Sequence, residues 1–136
     1  MRFMILVKAS KNSEAGAMPS QEMFTTITDY HQQLKKAGVL LDASGLRPSS
    51  KGFRIEYAGG RRTVVDGPFS ETKELLAGYT MIQVKSREEA LEWAKRFPKP
   101  HDEDCQIEVR QMFDIDDFHD YEAIDRWRDF VVSQEK

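Results

Sequence analysis

Residues 2–8 read Arg-Phe-Met-Ile-Leu-Val-Lys, RFMILVK. Alternation puts Phe3, Ile5 and Val7 on one side of an extended segment and Met4 and Leu6 on the other, so the run is a strand with two apolar faces. An antiparallel strand with one face in water shows polar residues on that face, and this one does not. The chain's own helices can cover one face. The second face needs another layer, and a domain of this size has few helices to spare. A partner subunit is the simplest source of that layer.

Working outward, residues 9–19 are small and polar and read as a loop. Ser20 is an N-cap candidate, and Met23, Ile27, Tyr30 and Leu34 recur at helical spacing with Phe24 and His31 beside the stripe. Lys35 and Lys36 suit a last turn and Gly38 a C′ position, which gives a helix over 20–37. A second strand starts at Val39 and runs toward Gly45-Leu46 and Pro48. Ser49 to Gly52 is a turn. Phe53, Ile55 and Tyr57 alternate with Arg54 and Glu56 as a one-sided strand, Gly59-Gly60 is a hairpin turn, and Arg61–Val65 returns. Residues 70–76 hold room for one helical turn. Gly78–Val84 is a strand, and Ser86 with Glu89 has the Ser-x-x-Glu spacing of a capping box before the apolar face Ala90, Trp93, Ala94 and Phe97. Pro98 ends that helix, residues 99–105 form a polar loop, and Ile107 and Val109 alternate with Glu108 and Arg110 in a last strand. From about Asp117 a terminal helix carries Tyr121, Ile124, Trp127 and Val131 on one side, with His119 at its start.

Two βαβ-like halves around a hairpin point to a ferredoxin-like α+β domain. Helices then cover one face of the sheet, and the doubly apolar first strand turns its other face to a second copy in a symmetric dimer. The core domain is placed at residues 1–115 and a C-terminal helical extension at 116–136.

The chain has 136 residues, a length suited to one domain with an ordinary core. Apolar residues make up 40% and charged residues 32%, which describes a globular chain and not a disordered one. The balance of 20 basic against 23 acidic residues contains no basic stripe, so nucleic acid is not an expected partner. Phe3–Val7 is too short for a membrane span or a signal core, so a cytoplasmic location is expected. Cys105 is the one cysteine, which excludes a disulfide framework. No dinucleotide or P-loop fingerprint is present. His31, His101 and His119 lack metal-ligand spacing, and His101-Asp-Glu-Asp-Cys105 reads as a polar loop sooner than a cation site. No cofactor is expected.

The segment at 66–79, DGPFSETKELLAGY, is the chemically dense one. Pro68 fixes its own φ and restricts Gly67, which makes a stiff corner at a strand end. Such a corner can aim Asp66, or Asp66 can simply bond the backbone of its turn. Glu71, Lys73 and Glu74 follow, either as a solvated charge run or as part of a site; Glu71 suits local helix capping. The residues DGPF, then Glu71-x-Lys73-Glu74 and Gly78-Tyr79, resemble the DGPF branch of the YCII-related proteins. The resemblance runs over about residues 1–113 and includes Ala37-Gly-Val-Leu-Leu41, Gly45-Leu-Arg-Pro48, Glu88-Glu-Ala90 with Trp93-Ala94, and Glu108-Val-Arg110. It implies a dimeric ferredoxin-like α+β barrel. It also implies an enzymatic role built on a His–Asp pair in a cleft, or a regulatory module associated with sigma-factor signalling. On that reading Asp66 and His31 are the catalytic candidates, the imidazole acting as a general base held by the acid. Arg110, Lys73, Glu74 and Glu108 are the ligand-binding candidates, with Arg110 suited to a small anionic molecule. The alternatives are a ligand-binding module without a catalytic base, and a purely structural dimer. His31 also reads as a boundary residue packed beside Phe24 and Ile27, and Arg110 as one half of a structural ion pair.

Overall fold

The computed structural model describes residues 1–118 and 122–132, and the side chains of all of these except residues 131 and 132. His119 and Tyr121 lie outside the described residues. The strands are β1 (Arg2–Lys8), β2 (Leu40–Gly45), β3 (Phe53–Ala58), β4 (Arg61–Asp66), β5 (Leu76–Gln83) and β6 (Ile107–Gln111). The helices are α1 (Lys11–Glu14), α2 (Gln21–Lys36), α3 (Arg87–Lys95) and α4 (Glu122–Val132). The main sheet has the order β2-β5-β1-β6 with every neighbour antiparallel, and β3 and β4 form a separate two-stranded sheet. This is a mixed α+β architecture whose order is compatible with the ferredoxin-like expectation.

The alternation in RFMILVK sorts the first strand as the sequence requires. Phe3 and Ile5 are buried and join Tyr30, Leu34, Val39, Ile82, Val84 and Ala90 in the core between the sheet and α2 and α3. Fully burying aliphatic side chains of this size stabilises by roughly 1.5–3 kcal/mol each. Ile107 and Val109 pack on the same core, which leaves Glu108 and Arg110 on the other face of β6. On that other face Met4 lies across from Met81, and Leu6 from Tyr79. All four are half-buried.

Local signals set the helix starts. Ser20 Oγ accepts the Met23 N–H at the head of α2, and Ser86 Oγ accepts the Glu89 N–H at the head of α3. The Glu89 carboxylate reaches back to the Lys85 N–H, one residue earlier than a capping box requires. The loop expected at 9–19 contains α1, because Ser10 and Ser13 cap each other reciprocally. The polar segment after α3 is tied down as well: His101 Nε2 bonds the Lys8 carbonyl and Glu103 accepts the Asn12 N–H. Hydrogen bonds from Ser10 and Asn12 hold the Glu103 carboxyl below its usual range. At the far end, α4 is joined to the preceding turn by Arg128 and Asp116 at 3.7 Å, and Trp127 remains 51% exposed.

The β3–β4 hairpin turns at Gly59-Gly60, both at positive φ, the backbone that a two-residue turn demands. Its register puts Phe53, Ile55 and Tyr57 on one face with Asp66, Val64 and Arg62, and Arg54 on the other with Val65. The one-sided pattern was legible, yet the apolar side is not buried in the chain: Phe53 is 66% exposed and Tyr57 73%.

One core residue makes stability sensitive to alkali. The Tyr30 hydroxyl donates to the Trp93 carbonyl at 2.6 Å, and burial pushes the phenol up to about 12, against the opposing pull of the Arg96 charge. The folded state favours the protonated form. Its contribution is therefore complete below the unfolded value near pH 10 and is lost as the pH rises toward 12. Tyr30→Phe is expected to cost about 1 kcal/mol at neutral pH and to flatten the loss above pH 10, by roughly 3 kcal/mol at full titration. Urea unfolding of both proteins between pH 8 and 11 checks this; parallel curves would contradict it.

Candidate functional site

The Asp66-Gly-Pro-Phe69 corner is held against the turn at Ser49–Lys51. The Gly67 N–H donates to the Gly52 carbonyl at 3.0 Å and the Phe69 N–H to Ser49 Oγ at 3.0 Å. Ser49 is gripped in turn by α1: its N–H and hydroxyl donate to the two Glu14 carboxylate oxygens at 2.7 and 2.5 Å. A carboxylate accepting two such bonds makes charge-assisted contacts, stronger than neutral ones. The chain thus links α1, the 49–51 turn and the corner through one serine. Glycine is required at 67, since a Cβ there would lie 1.8 Å from the Ser49 carbonyl oxygen. Ser49→Ala removes an acceptor from Phe69 and a donor from Glu14, and about 1–2 kcal/mol of stability is expected to go with them. A urea midpoint unchanged from the parent chain would show that the link is dispensable.

Between that turn and the segment after the corner lies an open cleft of about 470 Å³. Leu46, Pro48, Phe69, Leu75 and Leu76 supply its apolar walls. Arg47, Lys51, Arg54 and Glu74 also line it. The Arg54 guanidinium lies over the Phe69 ring, 3.7 Å from its centroid. Among the described residues none of Arg47, Lys51 and Arg54 is in an ion pair. Three cations therefore face one carboxylate in a chain whose net charge is −3.

The residues singled out in the sequence are not gathered into one place. Glu74 lines the cleft, while Lys73 is its exposed neighbour in the Thr72–Glu74 turn and does not line it. Glu71 precedes that turn and makes no side-chain cap bond. Asp66 ends β4 on the hairpin face that carries Phe53, and its carboxylate makes no hydrogen bond among the described residues, either to its own turn or to an imidazole. His31 sits under the main sheet. Its Nδ1 is 2.7 Å from the Ile27 carbonyl and its Nε2 2.7 Å from Thr80 Oγ1. A carbonyl only accepts, so Nδ1 carries the proton and, in the neutral ring, Nε2 accepts the Thr80 hydroxyl. Tyr30 and Phe97 pack edgewise on the ring, at 5.5 and 5.9 Å between centroids, and Phe24 is not its neighbour in that cluster. Glu108 and Arg110 lie on β6, the edge strand opposite β2; Glu108 pairs with Lys8 at 3.6 Å. On the other edge, Tyr79 donates to Asp42 at 2.9 Å, and that bond raises the phenol pKa.

Sequence reasoning passed over Arg47, Lys51, Arg54 and Phe69. The signal was present in Gly45-Leu-Arg-Pro-Ser-Ser-Lys-Gly52, where two cations flank a turn, but only the docking of the corner makes that turn one wall of a cleft. No group of three or more His, Cys, Asp or Glu side chains placed to hold a metal ion exists among the described residues. No helix there is long and apolar enough to cross a membrane.

The chain is 34% identical over 77 residues to the uncharacterized protein R00369 of Rhizobium meliloti (strain 1021), an alignment covering 57% of this chain and 62% of that protein. The chain therefore spans less than two thirds of that relative's length. The model of the YCII-related domain matches residues 1–116, and the chain belongs to the YCII-related family.

Proposed function

We propose that this chain is a small-molecule-binding module of the DGPF branch, working as a homodimer, with its ligand seated in the cleft beneath the corner. The observation that carries the reading is the cleft itself: about 470 Å³ and open to solvent, with apolar walls and Arg47, Lys51, Arg54 and Glu74 in its lining. Its wall is positioned by the Glu14–Ser49–Phe69 link and not by a loose loop. A regulatory or accessory role follows from such a module without any catalytic base. The acid–base reading of Asp66 with His31 requires the imidazole to leave Ile27 and Thr80 and the hairpin to bring Asp66 to it. The dimer is supported by the half-buried strip of Met4, Leu6, Tyr79 and Met81 on the sheet face opposite the core.

Backbone amide spectra recorded against a mixed fragment library test the binding reading. Shifts concentrated at Leu46, Phe69 and Leu76 are expected. Shifts concentrated at Thr80 and His31 would instead favour the acid–base site. Sedimentation equilibrium at micromolar concentration should return twice the chain mass; a monomer there removes the dimer from the proposal.

A further inference from the structure

We propose that the cleft selects small carboxylates with an apolar body, with Arg54 as the residue that takes the charge; this rests on the binding role proposed above. Arg54 is held in place by Phe69, yet its guanidinium makes no hydrogen bond or ion pair among the described residues. A guanidinium carries its N–H donors in one plane, in a fork that matches the two oxygens of a carboxylate. Arg47 and Lys51 add positive charge to the cleft lining, and Glu74 is the one acid among the lining residues. That balance disfavours cationic ligands and leaves anions the better match.

The walls decide the rest of the ligand. Leu46, Pro48, Phe69, Leu75 and Leu76 are apolar, and covering them with a hydrocarbon body removes both surfaces from water. A bare inorganic anion would gain the charge contact and leave those walls wet. A neutral aromatic molecule would cover the walls and leave Arg54 unpaired. A carboxylate carried on a ring or short chain satisfies both parts at once.

The test uses the full chain at low ionic strength and three probes: benzoate, which has ring and charge; benzamide, which has the ring alone; and acetate, which has the charge alone. Benzoate is expected to shift the Leu46, Phe69 and Leu76 amides with a dissociation constant of about millimolar order, as befits a fragment of that size. Benzamide and acetate should bind at least about fivefold more weakly. Arg54→Gln should weaken benzoate about tenfold, while Lys95→Gln, an exposed change on α3, leaves it unaltered. Arg54 is solvent-exposed, and the amide spectrum of the variant verifies that it folds. Equal binding of benzamide, or an Arg54→Gln variant that binds benzoate unchanged, overturns the carboxylate assignment. Acetate matching benzoate overturns the apolar-body half. If all three probes fail while library fragments still shift the cleft amides, the ligand class is wrong and the binding role stands. If nothing shifts them, both fall.

Discussion

Gly67→Ala is expected to destabilise the domain by about 2–3 kcal/mol, a large share of the roughly 5–15 kcal/mol that holds a domain folded. The added Cβ would sit 1.8 Å from the Ser49 carbonyl oxygen and 2.7 Å from its carbon. Both are backbone atoms, so no side chain can swing aside. Ser49 cannot retreat freely either, since Glu14 holds its N–H and its hydroxyl. Relief has to come from lifting the corner off the turn. That movement breaks the Gly67–Gly52 and Phe69–Ser49 hydrogen bonds, each worth about 1 kcal/mol net, and disturbs the Arg54–Phe69 contact, worth about 0.5–1 kcal/mol at an exposed site. Urea unfolding gives the stability change, and amide shifts confined to residues 46–54 and 67–76 would show the corner displaced. A variant within about 0.5 kcal/mol of the parent, with unchanged shifts, would mean that the corner tolerates the side chain and is not a fixed clamp.

Leu34→Ala is expected to cost about 3 kcal/mol. Leu34 is 0% exposed and belongs to the cluster formed with Phe3, Ile5 and Ile82. Truncation removes the transfer energy of the lost methyl groups and leaves a cavity that neighbours on a rigid sheet fill only in part. Tyr57→Ser, on the exposed face of the hairpin, supplies the contrast. It should change stability by less than about 0.5 kcal/mol. A Leu34→Ala change as small as that would place the core elsewhere.

The periodic parts of the fold were legible because their energetics are local. RFMILVK alternates, Ser20 and Ser86 cap, and Gly59-Gly60 turns, so β1, α2, α3 and the hairpin follow from residues near one another in sequence. The elements that sequence reading missed depend on partners far away. α1 is capped by its own serines, yet it is kept in place by Ser49, 35 residues on from Glu14, and by Glu103. The site was half legible for the same reason. DGPF marked the corner and Glu74 was named as a ligand-binding candidate. Arg54 read as the solvent side of a strand, because nothing local reveals that Phe69 returns to lie beneath it. His31 was drawn to Asp66 by the family resemblance, whereas Ile27, one helical turn back, and Thr80, on β5, occupy its two nitrogens.

The most direct test of the account is a crystal structure with the strongest-binding fragment soaked in. The account predicts ligand density between Phe69 and Leu76, with an anionic group against Arg54. Density beside His31 or Asp66 with the cleft empty would contradict it and return the functional site to the acid–base pair.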